Sequence, residues 1–226
     1  MDGVFVSPKN TSITSDIVLL ANENRFRILP SGFGSALDSS RLVSDSMVIL
    51  KSGRMNKIKR VVPEDLYVIL EPGFPLKNLN QHLEPYNLFY PLADGKSGGT
   101  IGGSVATNLQ GKSGEKSVQT KEYVLSLEVV NPEGQILNIG ARTFKSVSGY
   151  DLPRLYVGSW GTLGFITEIS LRLVPAGKRK DYPAVQAMHP KREKNAGNAD
   201  LKNILSGRIK KSLDPNGVFL KLESLL

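Results

Sequence analysis

Cysteine is absent from the 226 residues, which excludes disulfides, thiolate metal sites, iron–sulfur clusters and cysteine nucleophiles within this chain. Histidine is scarce: His82 and His189 are the only two, and no metal site is expected from them. His82 falls in the amphipathic stretch "NLNQHLEPY" and His189 in a polar segment, so an ordinary surface role is expected for both. No apolar run approaches the ~20 residues needed to cross a bilayer. The N-terminus also lacks the charged-then-apolar layout of a secretory signal. The expected compartment is the cytoplasm, with peripheral membrane association left open. Acidic residues are outnumbered: 29 Lys and Arg against 21 Asp and Glu give a formal net charge of +8 and a pI near 9.6. That balance suits an anionic partner such as a phosphate-bearing cofactor or an acidic subunit. Nucleic acid is not expected, because no recognition helix, aromatic-rich sheet motif or zinc pattern accompanies the charge.

What is present is globular. Hydrophobic residues make up 40% of the chain, with 22 glycines and 13 prolines, a composition somewhat rich in turns. The length suits one full domain or two small packed lobes. "NTSITSDIVLLANEN", residues 10–24, offers Ser and Thr caps ahead of Ile17, Val18, Leu20 and Ala21 on one face and predicts a helix. "RFRIL" predicts a strand leading into "PSGFGS", and "SMVILKSGRMNKIKRVVPEDLYVILEPG" three more β-rich runs. "PLKNLNQHLEPY" has helical spacing, a short helix is expected over about 101–108, and Asn131 to Gly134 marks a hairpin turn. "LGFITEISLRLVP" alternates as a last strand. From 176 to 200 the texture becomes polar and basic and predicts a linker or loop. Leu201, Ile204, Leu205, Ile209 and Leu213 then space as one helical face before "DPNGVF".

Three glycine-bearing loops flank β structure: "PSGFGS" at 30–35, "GGTIGGS" at 98–104 and "GSWGTLG" at 158–164. Glycine lets the backbone approach a ligand closely, so that consecutive N–H groups converge on an anion. Two such loops, with the helix start at Ile101 to Ser104 offering its amides, could hold a diphosphate between them. None is a G-x-G-x-x-G after the first strand, which disfavours a nicotinamide dehydrogenase. "GKSGE" at 111–115 lacks the preceding glycine of a P-loop and is expected to be a polar loop.

The succession "LPSGFGSALD", "YVILEPGFPLKNLNQHLEPYNLFYPL", "GGTIGGSVATNLQG", "VLSLEVVNPEGQIL" and "GYDLPRLYVGSWGTLGFITEISLRLVP" resembles the FAD-binding domain of the vanillyl-alcohol oxidase/PCMH flavoprotein family. Within it the chain is most similar to the glycolate oxidase and D-lactate dehydrogenase branch, especially the small FAD-binding subunit of glycolate oxidase. The resemblance runs from about Val4 to Pro175 and includes the tail "IKKSLDPNGVF". It implies an α+β, PCMH-type fold of two lobes within 1–175, split near 95–100, with FAD between them. A polar linker at 176–200 then stands in place of the substrate or cap domain, and 201–226 form a C-terminal helix and tail.

Carried over by position, the backbone of Ser31, Gly32, Phe33, Gly34 and Ser35 would meet the FAD pyrophosphate. Leu92, Thr100, Gly102, Gly103, Ala106, Thr107 and Asn108 would line the flavin and ribityl chain, and Gly164 and Ile166 the adenine side. For Ser104 and Thr107 a capping or turn role is the plain alternative. The chain departs from the family at Ser31 and Phe33, where a basic residue and another glycine are usual. It also reads "GEKSVQTKEYV" where an Arg-Tyr-Gly-like element is common. The implied function is the FAD-binding subunit of a multi-subunit 2-hydroxy-acid dehydrogenase or oxidase, with substrate oxidised on a sister catalytic flavoprotein subunit. An iron–sulfur subunit is a further candidate partner. A flavin-free structural subunit is the alternative. No catalytic residue is assigned; His189, Arg179 and Arg192 are expected on a solvated loop.

Overall fold

The computed structural model describes residues 4–34, 47–96, 98–113, 116–141, 152–182, 186–188 and 207–221. It begins with strand β1 (Val4–Val6) and helix α1 (Thr11–Glu23). Asn10, extended, caps α1 by accepting from the Ile13 amide at 2.9 Å, which satisfies one of the donors every helix start leaves open. Strands β2 (Arg27–Ser31) and β3 (Met47–Lys51) follow, and the three strands form a parallel sheet in the order β1-β3-β2. The C-terminal segment extends its edge, because Phe219 bridges Ile28 in parallel, with Ile28 N–H donating to Val218 O at 2.6 Å and Leu220 N–H to Ile28 O at 3.1 Å.

Strands β4 (Ile58–Val62) and β5 (Tyr67–Leu70) lead into a helical stretch that includes α2 (Leu79–Leu83), then the two-residue β6 (Leu88–Phe89). Helix α3 (Ile101–Thr107), β7 (Gln110–Ser113), β8 (Lys116–Gln119), β9 (Val124–Val130), β10 (Ile136–Gly140), α4 (Pro153–Tyr156) and β11 (Phe165–Arg172) complete the central part. A five-stranded sheet with antiparallel pairing runs β10-β9-β11-β5-β4. It draws strands from both sides of residues 95–100, so the boundary expected there does not divide the sheets. The strand β12 (Val174–Pro175) pairs with β6. The arrangement is α+β, as expected.

Two further expectations are corrected. "GKS" of 111–113 is strand rather than loop, paired antiparallel with β8 and with β13 (Gln186–Met188). The stretch 176–200 therefore holds a strand, and also a 3-10 turn at Ala176–Asp181, on which Arg179 lies over the Phe89 ring at 5.1 Å. In the tail, residues 207–213 are helical, but Ile209 and Leu213 are each 38% exposed. The inward pair is Lys210 and Asp214: the ammonium donates to Asp214 Oδ2, Thr162 O and Phe219 O, and Asp214 accepts from Val218 and Phe219 N–H. A buried carboxylate that closes its own turn and an adjacent cation outweigh the apolar spacing here. Leu201, Ile204, Leu205, His189 and Arg192 lie outside the described residues. His82 is exposed, with Nδ1 at 2.9 Å from Asn78 O.

The main core joins the five-stranded sheet to α2 and α3 through Leu70, Leu79, Tyr90, Ile101, Val105 and Ile169. A second cluster packs α1 on the parallel sheet through Val18, Ile28, Leu50, Phe165 and Phe219. The functional site lies where these two bodies meet.

Candidate functional site

All three glycine loops converge on one cleft. Pro30 to Gly34, continuing from β2, form one wall; Gly98 to Thr100 and one face of α3 form another; Trp160, Gly161 and Gly164 to Ile166, leading into β11, form the third. Ser52 and Pro72 also line it. The walls touch closely where glycines lack a Cβ, at Gly32, Gly102 and Gly161. At Gly32 a Cβ would stand 2.4 Å from Thr100 Oγ1, and at Gly102 it would stand 2.7 Å from Pro72 Cβ and 2.9 Å from Pro72 O. Glycine there is a packing requirement of the seam as well as a means of ligand approach.

The polar groups of the cleft divide sharply. The first amides of α3, expected to face an anion, are all used within the protein. Ile101 N–H donates to Phe74 O at 2.9 Å, Gly102 N–H to Pro72 O at 2.7 Å and Ser104 N–H to Thr100 O at 2.9 Å. Gly103 N–H donates to the side chain of Thr100, the N-cap, at 3.1 Å. The expectation that this helix start binds the anion is thereby corrected: its amides anchor α3 to the turn after β5. The hydroxyls are local too, with Ser104 Oγ donating to Ile101 O at 2.8 Å and Thr107 Oγ1 to Gly103 O at 2.9 Å. This is the capping and turn role considered for them. In contrast, among the described residues the N–H groups of Gly32, Phe33 and Gly34 have no partner, and the buried hydroxyl of Ser52 has none either.

No charged side chain lines the cleft among the described residues. A group carrying acceptor oxygens and flat apolar rings fits such walls: free backbone donors at one end, and Leu76, Ala106, Leu109, Phe165 and Ile166 elsewhere. Among the described residues there is no cluster of metal-ligating side chains.

Of the residues singled out from sequence, Ser31, Gly32, Phe33, Gly34, Thr100, Gly102, Gly103, Ala106, Thr107, Gly164 and Ile166 line this cleft. Ser35 lies outside the described residues. Leu92 does not line it; the side chain is fully buried in the main core. Asn108 does not line it either. It sits in the left-handed region with φ 50° as the α3 C-cap, accepting from Lys121 N–H at 3.0 Å and donating to Gln119 Oε1 at 3.3 Å. Sequence reasoning did not single out Ser52 or Trp160. Trp160 stood inside a quoted loop, whereas Ser52 carries no local signal.

Away from the cleft, burial pushes the Tyr90 phenol well above its usual range, against a weak bond to Thr120 Oγ1 at 3.5 Å. Tyr123 is raised as well, first by burial and then by its neighbour Tyr182. Burial pulls the Lys210 ammonium below its ordinary value, while Asp214 opposes that shift.

The FAD binding domain family matches residues 3–140. The chain belongs to that family. FAD is the cofactor that membership gives it, and the cleft's donors and flat apolar walls suit FAD. This chain is 36% identical over 204 residues to a mitochondrial D-lactate dehydrogenase (cytochrome) of Arabidopsis thaliana, covering 90% of this chain and 35% of that protein. It is 38% identical over 175 residues to a D-lactate dehydrogenase of Anaerostipes hadrus, covering 77% and 37%. It is 36% identical over 181 residues to the glycolate oxidase subunit GlcD of Bacillus subtilis, covering 80% and 38%. The chain thus spans little more than a third of these relatives. Among solved structures, an alkyldihydroxyacetonephosphate synthase shares the fold with a TM-score of 0.63 at 24% identity, over 76% of this chain and 32% of that one. Among the described residues no helix is long and apolar enough to cross a membrane.

Proposed function

We propose that this FAD-binding chain serves a 2-hydroxy-acid dehydrogenase or oxidase of the glycolate or D-lactate type, holding flavin for electron transfer while a sister flavoprotein subunit oxidises the substrate. The observation that carries the site is the convergence of three glycine loops on one cleft that, among the described residues, has no charged lining and leaves the amides of Gly32, Phe33 and Gly34 without a partner. The relatives' names, D-lactate dehydrogenase and glycolate oxidase subunit, support the substrate class and the subunit role.

In this reading the Gly32 to Gly34 amides hold the diphosphate, Gly103, Ala106 and Thr107 flank the ribityl chain and ring, and Gly164 and Ile166 meet adenine. Bound FAD supplies hydride or electron acceptance through its isoalloxazine. The chain's own residues bind and orient it; none is assigned as acid or base. Residues 1–175 form the FAD-binding part, 176–200 stand where a substrate domain would be, and 201–226 close the fold. The basic surface docks an acidic sister subunit, with an iron–sulfur subunit as a further candidate and the cytoplasm as the setting.

The test is the absorption spectrum released by denaturing the purified protein. Near-stoichiometric flavin supports the reading; a colourless protein that takes up no added FAD overturns it. Association that is lost at physiological salt in cell extract overturns the subunit role. Phe33, 58% exposed in the loop that would hold phosphate, favours the second reading, a flavin-free structural subunit of the same kind of complex. The same spectrum decides between them.

A further inference from the structure

Trp160 is the only tryptophan in the chain and lines the cleft. Its backbone adopts φ 58°, between Gly158 at 81° and Gly161 at 74°. A bulky side chain in the left-handed region is an outlier that surrounding structure must enforce. The enforcement is visible. Gly158 N–H donates to Val105 O at 3.0 Å and Trp160 N–H to Ala106 O at 2.8 Å, pinning the loop to the end of α3. Gly161 abuts β2 so closely that a Cβ would stand 2.9 Å from Pro30 Cβ.

The indole is half-buried. It packs on a small cluster of Leu29, Met47 and Leu220, and it also borders the cleft. Support from one side and an opening on the other describe a platform for a flat ring. Pro30, which Gly161 abuts, leads into the Gly32 to Gly34 amides, and the Trp160 loop runs on to Gly164 and Ile166. The indole therefore stands on the wall of the proposed adenine contacts, beside the wall of the proposed diphosphate contacts. We propose that Trp160 is a cofactor-contact residue whose indole packs against the adenine ring of FAD. This rests on the FAD site proposed above. The strained backbone then has a use: it turns toward the ligand a ring that an extended backbone would send elsewhere.

One tryptophan makes the test direct. ADP is the probe, because it carries adenine and diphosphate and, unlike flavin, accepts no energy from excited indole. Saturable change in tryptophan emission on adding ADP, together with protection from acrylamide quenching and displacement of bound FAD, is expected. ADP that displaces FAD but leaves the emission unchanged overturns the proposal, and so does ADP that fails to displace FAD. Trp160→Phe should hold FAD within about threefold, and Trp160→Ala should lose about tenfold or more, as aromatic–base stacking contacts do. Trp160→Gly, which suits the positive φ, covers the case in which the alanine variant does not fold. Unchanged FAD affinity in Trp160→Ala or Trp160→Gly overturns the contact. Wild-type protein that takes up no FAD is a separate outcome: it fails the site reading itself, and this inference with it.

Discussion

Gly102 and Gly103 are neighbours in α3, both line the cleft, and the structure assigns them opposite responses to alanine. In a helix interior Gly→Ala is worth about 1 kcal/mol in favour of folding. At Gly102 the added carbon would meet Pro72 Cβ at 2.7 Å and Pro72 O at 2.9 Å, and the turn it strikes is the one that accepts the Gly102 amide at 2.7 Å. Overpacking of that kind costs about 1–3 kcal/mol, and losing the amide bond about 1 more. The clash wins, and Gly102→Ala should destabilise the FAD-free protein by about 1–3 kcal/mol. For a chain of this length that lowers the melting point by about 2–4 °C per kcal/mol. At Gly103 the new carbon meets only Thr100 Oγ1, at 3.3 Å, a tight contact that a shift of a few tenths of an ångström in that side chain relieves and that offsets part of the propensity gain. Gly103→Ala should melt at or slightly above wild type, yet place a methyl in the cleft and weaken FAD about tenfold or more. The assays are thermal melting followed by circular dichroism without FAD, and FAD titration by flavin fluorescence. A Gly102→Ala protein as stable as wild type would refute the seating of α3 on Pro72. Wild-type FAD affinity in Gly103→Ala would refute the cleft as the site.

Asp214→Ala should cost about 3 kcal/mol or more in urea denaturation, because it strands the largely buried Lys210 ammonium and two turn amides; a loss below 1 kcal/mol would count against the closing role of the tail. Tyr90, raised above its usual value by burial, keeps its proton in the native state while the unfolded chain loses it near pH ~10. Its stabilisation is therefore complete below that pH and lost as pH rises toward the native value, at up to about 1.4 kcal/mol per unit; a flat denaturation midpoint between pH 9 and 11 would sink this, and Tyr90→Phe should reduce the slope. Because no charged side chain lines the cleft among the described residues, FAD affinity should change less than about threefold between 0.05 and 0.5 M NaCl; a tenfold change would reveal a cation at the ligand.

Local chemistry was readable where its partners are local. A polar cap for α1 was readable, although Asn10 supplies it and not the Ser or Thr that follow. Asn131 closes the β9–β10 hairpin by accepting from Glu133 and Gln135 N–H, with Gly134 at φ 76°. What was not readable depended on distant chain. β7 reads "QGKS" and β8 "KSVQ", with no apolar alternation to mark them. They are strands because each has the other, and β7 also has β13, to pair with. The tail's apolar spacing was real, yet Asp214 and its amide bonds set which face turns inward.

The same reasoning redistributes the argument for a cofactor. From sequence, the helix start in "GGTIGGS" was expected to offer its amides beside a second glycine loop, so that the two held a diphosphate between them. In the structure, Pro72, Phe74 and Thr100 consume those amides, and Gly102 is explained by its close packing on Pro72 before any ligand is considered. That takes the α3 amides away from the diphosphate and leaves the first loop. Gly32 packs against Thr100, but among the described residues the N–H groups of Gly32, Phe33 and Gly34 have no protein partner, which leaves them available to a ligand's acceptor oxygens. A diphosphate supplies those acceptors. The phosphate-binding part of the reading therefore stands or falls on Gly32 to Gly34, while α3 and Trp160 shape the walls that decide which rings fit beside it.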